Sequence, residues 1–190
     1  LQIELTRRWW RHERDNPPSE ARHRACGSVS MTFMRCGEPD AADRLYQESM
    51  RGLSRIDQDT HFHQVMLRAD GLLVSHRTQE ALEVLTRHRP SLERHAMPIH
   101  RAFYGNLMAT TLLALGRCQD ARPFAVEAVE CATVAEGPEG PLALGCMQVH
   151  ADILARIGHV EQAEAALARV LAAQTRVLGA DHPETLETKL

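Results

Sequence analysis

Histidine and cysteine are the side chains in this sequence that could bind a metal ion or act as nucleophiles. The 190 residues include 11 histidines and 5 cysteines, and His61 and His63 form the closest histidine pair. On a helix, residues two positions apart point in different directions and do not easily share an ion. The sequence contains neither an H-E-x-x-H motif nor a cysteine and histidine spacing typical of zinc sites. It therefore predicts no metal site and no cofactor.

The cysteines are spread along the chain without a C-x-x-C pair: Cys26, Cys36, Cys118, Cys131 and Cys146. Their number is odd, and their spacing fits no disulfide framework. We therefore expect reduced thiols, small side chains buried in helix packing, in a cytoplasmic protein.

Motifs of common enzyme active sites are missing from the sequence. There is no G-x-S-x-G nucleophile motif, no G-x-x-x-x-G-K-[ST] phosphate loop and no G-x-G-x-x-G dinucleotide motif. The glycine-rich segment 136–140 lacks a lysine and a preceding strand, so we interpret it as a loop between repeats. The sequence predicts that the protein is not an enzyme.

Charge and hydropathy argue against two classes of partner. The net charge is −3, and no basic stripe with interleaved aromatic residues is present, so direct nucleic-acid binding is not expected. No apolar run approaches the roughly 20 residues that span a bilayer, so a membrane partner is not expected either. Apolar residues make up 44% of the chain, which is typical of a folded domain.

The sequence contains a repeat of about 40 residues, which sets the positions of the histidine and cysteine side chains. Four turns begin at Gly37, His76, Gly116 and Gly158, which are 39, 40 and 42 residues apart. Small residues keep the same distance from each turn. Seven residues before a turn lie Ser30, Ala69, Ala109 and Ala151, and five residues after it lie Ala42, Ala81, Ala121 and Ala163. A repeat of this length indicates stacked supersecondary units.

Each turn separates two amphipathic helical stretches, which we call helix A before the turn and helix B after it. The predicted A helices are 19–36, 59–75, 98–115 and 141–157, and the predicted B helices are 41–56, 79–89, 121–135 and 161–178. A methyl-sized side chain on each helix lets the two approach closely. Pro90 is predicted to end or kink the second helix B near Arg89. No alternation typical of strands is present, so the predicted fold is all-α.

This pattern resembles the tetratricopeptide repeat (TPR), in which a small residue, a large apolar residue, a glycine and an alanine recur at these distances. Two repeats carry all four residues: Ala109, Leu112, Gly116 and Ala121, then Ala151, Leu154, Gly158 and Ala163. The period of about 40 and the segment 176–186, R-V-L-G-A-D-H-P-E-T-L, are similar to kinesin light chain-type repeats of bacterial, actinobacterial-like proteins. The resemblance implies an all-α, right-handed superhelical solenoid of antiparallel helix hairpins.

The repeat register divides the chain into six segments. They are an N-terminal helix (1–16) that acts as helix B of a preceding repeat or as a cap, repeat 1 (19–57), repeat 2 (58–97), repeat 3 (98–137), repeat 4 (139–179) and the start of repeat 5 (181–190). Because both termini fall inside repeats, we interpret the chain as an excerpt of a longer protein.

The resemblance also implies a concave groove lined by the A helices, which holds a protein or peptide partner. The register predicts that thirteen side chains point into it: Arg24, Met31, Met34, Arg35, His63, Met66, Asp70, Phe103, Asn106, Thr110, Gln148, Asp152 and Arg156. A mixture of methionine, aromatic and charged side chains suits an extended peptide or a partner helix. The alternative is a ligand-sensing regulatory module of a larger bacterial transcriptional regulator or signalling ATPase, in which a groove ligand shifts the state of a neighbouring domain.

Overall fold

The computed structural model describes residues 2–13, 20–52, 58–95 and 97–188, and all regular secondary structure within these ranges is helical. The helices are α1 (Gln2–Glu13), α2 (Glu20–Arg35), α3 (Pro39–Gly52), α4 (Gln58–Val74), α5 (Thr78–His95), α6 (Pro98–Ala114), α7 (Cys118–Glu136), α8 (Pro141–Arg156), α9 (Val160–Val177) and α10 (Pro183–Thr188). The predicted all-α fold is confirmed. None of these helices is long and apolar enough to cross a membrane.

Helix boundaries agree with the predicted A helices to within one residue and differ more for the B helices. The third helix B begins at Cys118, three residues before the predicted start, because its first turn is polar and carries no apolar pattern. The predicted end near Arg89 is wrong, since α5 continues through Pro90 to His95. A proline removes only one backbone donor from the helix, and the hydrogen bonds on both sides can hold it together.

The four hairpin turns share one backbone geometry. After α6, the Gly116 amide donates to the carbonyl of Leu113 at 3.0 Å, and the Arg117 amide donates to that of Leu112 at 2.8 Å. This pair of bonds is the Schellman motif, which requires a left-handed residue at the turn. The φ angles are +78° at Gly37, +57° at His76, +74° at Gly116 and +89° at Gly158. His76 is thus an L-residue in a conformation that favours glycine.

Substitutions at two of these turns, His76→Gly and Gly116→Ala, should change the free energy of unfolding in opposite directions. We expect His76→Gly to raise the free energy of unfolding by about 0.5–1 kcal/mol, because glycine relieves the left-handed strain. Gly116→Ala should lower it by about 1 kcal/mol. Since a Cβ added at Gly116 meets no atom within 4 Å, that loss would be a backbone effect alone. Urea denaturation measures both, and a destabilised His76→Gly variant would contradict the turn assignment.

Contacts between helices divide the chain into two compact units, Leu1–His95 and Ala96–Leu190. In unit 1, α2 pairs with α3, α4 pairs with α5, and the two hairpins meet through α2 and α4. Their core contains Phe33, Met34, Leu45 and Leu72, and Trp10 of α1 packs against it.

Unit 2 repeats this arrangement with smaller side chains. Here α6 pairs with α7, α8 pairs with α9, α6 contacts α8, and α10 packs against α9. One core cluster consists of Ala102, Ala128, Ala132, Ala143 and Cys146. A core of alanines brings the helix backbones close together, which leaves little space for larger residues.

All seven repeat alanines are buried, as the register predicts: Ala42, Ala69, Ala81, Ala109, Ala121, Ala151 and Ala163. The serine that replaces the helix A alanine of the first repeat is buried as well, and its hydroxyl donates to the carbonyl of Ala42 at 2.9 Å. Ser30 therefore occupies the alanine position without leaving its polar atom unpaired.

Two helical glycines of unit 2 predict opposite mutational effects. A Cβ at Gly105 would lie 2.9 Å from the carbonyl oxygen of Phe124 and 3.2 Å from the Cβ of Ala128, whereas a Cβ at Gly145 would have no atom within 4 Å. We expect Gly105→Ala to cost about 1–3 kcal/mol through overpacking. Gly145→Ala should stabilise the protein by about 0.5–1 kcal/mol through helix propensity. Thermal unfolding of both variants tests whether α6 and α7 approach each other closely at Gly105. Equal changes in melting temperature in the two variants would contradict that close approach.

Candidate functional site

The candidate site consists of the predicted groove residues on the A helices, and the structure places them in two sets. The unit 1 A-helix face comprises Arg24, Met31, Met34 and Arg35 on α2 with His63, Met66 and Asp70 on α4. The unit 2 A-helix face comprises Phe103, Asn106 and Thr110 on α6 with Gln148, Asp152 and Arg156 on α8. The side chain of Arg24 lies outside the part of the chain that the structure describes.

Two methionines of the unit 1 A-helix face contribute to packing. Met34 is 4% exposed and Met66 is 7% exposed. Met34 lies against α4, where a Cβ added at Gly71 would be 3.3 Å from its Cγ, and the Ser75 hydroxyl donates to its sulfur at 3.6 Å. Met34 therefore packs between α2 and α4, and because both methionines are buried, a partner would contact other residues of this face.

The remaining side chains of the unit 1 A-helix face are more accessible. Met31 is half-buried, and Arg35 and His63 are exposed. Partial burial raises the pKa of the Asp70 carboxyl, and the positive charge of Arg35 counteracts part of that rise. An acid and a base from adjacent helices thus influence each other on this face.

On α6, the unit 2 A-helix face combines an accessible aromatic ring with an amide oxygen that lacks a partner. Phe103, Asn106 and Thr110 follow the i, i+3, i+7 spacing of one helical face. Phe103 is 44% exposed. The side-chain oxygen of Asn106 is buried and has no hydrogen-bond partner among the described residues. A buried acceptor without a donor is costly and is expected to bind one when it becomes available.

The α8 side chains of this face differ in how firmly they are held. Gln148 donates to the hydroxyl of Thr188 at 3.3 Å, and Thr188 donates to the amide oxygen of Gln174 at 2.8 Å, so Gln148 is connected to α9 and α10. Asp152 accepts a hydrogen bond from Arg156 at 3.2 Å, and both side chains are exposed. An exposed pair of this kind contributes only about 0.3–0.5 kcal/mol, so a charged partner could replace it.

The cysteines lie outside both faces. All five are free thiols. Burial raises the pKa of Cys26 to about 11 and that of Cys146 to about 12, so both remain protonated at neutral pH. Cys36 is exposed, so the expectation of a buried thiol is wrong at that position.

The structure also brings together two histidines that sequence reasoning did not pair. The Nε2 atom of His61 on α4 lies 3.2 Å from the Nδ1 atom of His88 on α5. Burial lowers the pKa of both rings, that of His88 to about 4, so both are neutral at pH 7. No local sequence pattern could have revealed this pair, since its members are 27 residues apart. Within the described ranges, no group of three or more histidine, cysteine or acidic residues could hold a metal ion.

Comparisons with known proteins agree with this helical arrangement. Residues 100–176 match the sequence profile of the tetratricopeptide repeat. The chain is similar to the crystal structure of BtubC (BKLC) from P. vanneervenii, with a TM-score of 0.78 and 17% identity, covering 98% of this chain and 75% of that one.

A second solved structure gives the same result. It is a Podosopora anserina protein assigned to the kinesin light chains, with nearly identical TPR-like repeats, and matches with a TM-score of 0.75 and 19% identity, covering 92% of this chain and 84% of that one. No curated protein sequence matches significantly. The two likenesses confirm the predicted fold class, a solenoid of antiparallel helix hairpins.

Proposed function

We propose that this chain is a tetratricopeptide-repeat scaffold that binds a protein or peptide partner through the A-helix faces of its repeats. The match of residues 100–176 to the profile of that repeat supports the proposal. Such repeats typically serve as protein-interaction scaffolds. The observation that carries the proposal for this chain is the Asn106 oxygen, a buried acceptor without a donor. It lies one helical turn from the accessible ring of Phe103.

The chemistry of the unit 2 A-helix face favours an extended peptide. A peptide backbone offers N–H groups at regular intervals, and one of them would satisfy the Asn106 oxygen once the side chain turns from its buried position toward the peptide. An apolar side chain of the peptide would cover Phe103, since aromatic rings supply much of the contact area at protein interfaces. Asp152 and Arg156 would then select the charges of the peptide by exchanging their weak mutual contact for contacts to it.

A displayed library of random twelve-residue peptides, selected on the whole chain, tests this proposal without a known partner. We expect Phe103→Ala and Asn106→Ala each to weaken the binding of selected peptides at least tenfold. The matched control is Val134→Ala, because Val134 is 76% exposed and lies on helix B of the same hairpin. Its affinity should stay within twofold of the wild type.

Equal losses in all three variants, or retained binding in Phe103→Ala and Asn106→Ala, would contradict the assignment to the A-helix faces. A substitution at Met66 is unsuitable for this purpose. Since that side chain is buried, a charge placed there would unfold the hairpin rather than remove a contact. Circular dichroism of each variant confirms that helicity is retained.

A further inference from the structure

The His61–His88 pair lies between two helices whose positions are held by packing. Its ring nitrogens are 3.2 Å apart, and the ring centroids are 5.0 Å apart with the planes tilted by 58°. Near the pair, α4 and α5 bury Val65 and Leu85 completely. The two imidazoles therefore face each other from two packed helices, α4 and α5.

We propose that His61 and His88 form a binding site for a divalent transition-metal ion such as Zn²⁺. Zinc binds histidine nitrogen at about 2.0–2.1 Å in tetrahedral geometry, which places two ligand nitrogens about 3.3 Å apart. The observed separation of 3.2 Å matches this value. A rotation of each ring away from the line that joins the two nitrogens would direct both lone pairs at one ion. Two positions of the ion remain for water or for a donor from a partner.

The protons of the two rings can be rearranged without net loss when the metal binds. In the metal-free pair, one ring nitrogen carries a proton and the other accepts it. With metal bound, His61 ligates through Nε2 and carries its proton on Nδ1, whereas His88 ligates through Nδ1 and carries its proton on Nε2. Each ring remains a neutral imidazole, which is the form that binds metals.

The positive charge of Arg87 opposes cation binding, so only ions with a high affinity for imidazole are expected at this pair. Arg87 precedes His88 and adds a positive field at its ring, which disfavours any cation. Hard cations such as Mg²⁺ and Ca²⁺ prefer oxygen ligands and should not bind, whereas Zn²⁺, Ni²⁺ and Cu²⁺ gain enough from imidazole coordination.

Calorimetric titration of the metal-free chain with ZnCl₂ tests the site. We expect one specific site in the wild type and at least tenfold weaker binding in both His61→Gln and His88→Gln. The matched control is His63→Gln, because His63 is exposed two positions from His61 on the same helix. Its zinc affinity should stay within twofold, and MgCl₂ should give no binding.

A second measurement on the unmodified chain covers the case in which a variant fails to fold. In histidine-ring NMR spectra recorded during the zinc titration, the rings of His61 and His88 should shift before all others. Zinc should also raise the melting temperature of the wild type, since a ligand that binds only the folded state stabilises it. Unchanged affinity in His61→Gln and His88→Gln, or first shifts at other histidines, would overturn the proposal.

Discussion

Replacing Ala151 by tryptophan is expected to lower the free energy of unfolding by roughly 3 kcal/mol, the upper end of the range for overpacked cores. Ala151 on α8 is completely buried, and so is Ile153, whereas Leu154 is 4% exposed. Ala151 occupies the repeat position at which a methyl group lets helix A approach helix B. An indole there would force the two helices apart and expose the apolar surface between them.

The control for this substitution lies one turn away on the same helix. Ala155 is exposed, so Ala155→Trp should change stability by no more than about 0.5 kcal/mol. Chemical denaturation of both variants, followed by circular dichroism, gives the comparison. Similar losses at Ala151 and Ala155 would mean that the repeat register assigned to α8 is out of phase.

The second large effect concerns a buried arginine that joins the first two repeats. Arg68 on α4 is 8% exposed and forms an ion pair with Asp43 on α3. Its guanidinium lies 5.2 Å from the ring centre of Tyr46, and its Nη1 atom already lacks a hydrogen-bond partner among the described residues. Asp43 also accepts from Arg77 at 3.2 Å, so one carboxylate serves two arginines.

Asp43→Ala should therefore destabilise the protein by about 2–3 kcal/mol, because it leaves the buried charge of Arg68 uncompensated. We expect less than the loss for a fully buried pair because the Asp43 side chain retains 30% exposure. The matched control is Glu80→Ala, which removes a 2.6 Å contact to Arg77 from an exposed carboxylate and should cost no more than about 0.5 kcal/mol. Urea denaturation measures both variants.

A double variant identifies the cause of the loss. Adding Arg68→Met to Asp43→Ala removes the buried charge and replaces it with an apolar chain, so most of the lost stability should return. If the double variant is as unstable as Asp43→Ala, the loss arises from packing at position 43 and not from the charge of Arg68.

Turn glycines and small helix residues predicted the repeat because each acts on the backbone conformation or helix packing within a few residues of its own position. Gly116 adopts the left-handed conformation that its position in the register requires, and Ala109 and Ala121 are buried on opposite sides of that turn. The same register placed a buried residue at Ser30, although serine is polar. Turn geometry and side-chain size depend on a few consecutive residues, so both can be inferred from a single sequence.

The spacing of residues in the sequence did not predict which side chains face a neighbouring helix. That depends on the rotation of each helix about its axis and on its distance from its neighbour. The register assigned Met34 and Met66 to a binding surface, whereas both side chains are buried. It predicted that Pro90 ends or kinks the second helix B near Arg89, and the helix end is wrong because α5 continues to His95. It also could not distinguish Gly105, which faces the backbone of α7, from Gly145, which faces open space.

For this protein, the amino-acid sequence by itself determined the helical fold, the four turns and the alanines between paired helices, since these follow from periodicity and backbone preference. Tertiary structure alone decided which side chains of those helices meet. The contact of His61 with His88 joins residues 27 positions apart, and the ion pair of Arg68 with Asp43 crosses from one repeat to the next. Such contacts depend on the rotation of each helix and the depth of its packing, which are set by the fit of all neighbouring side chains together.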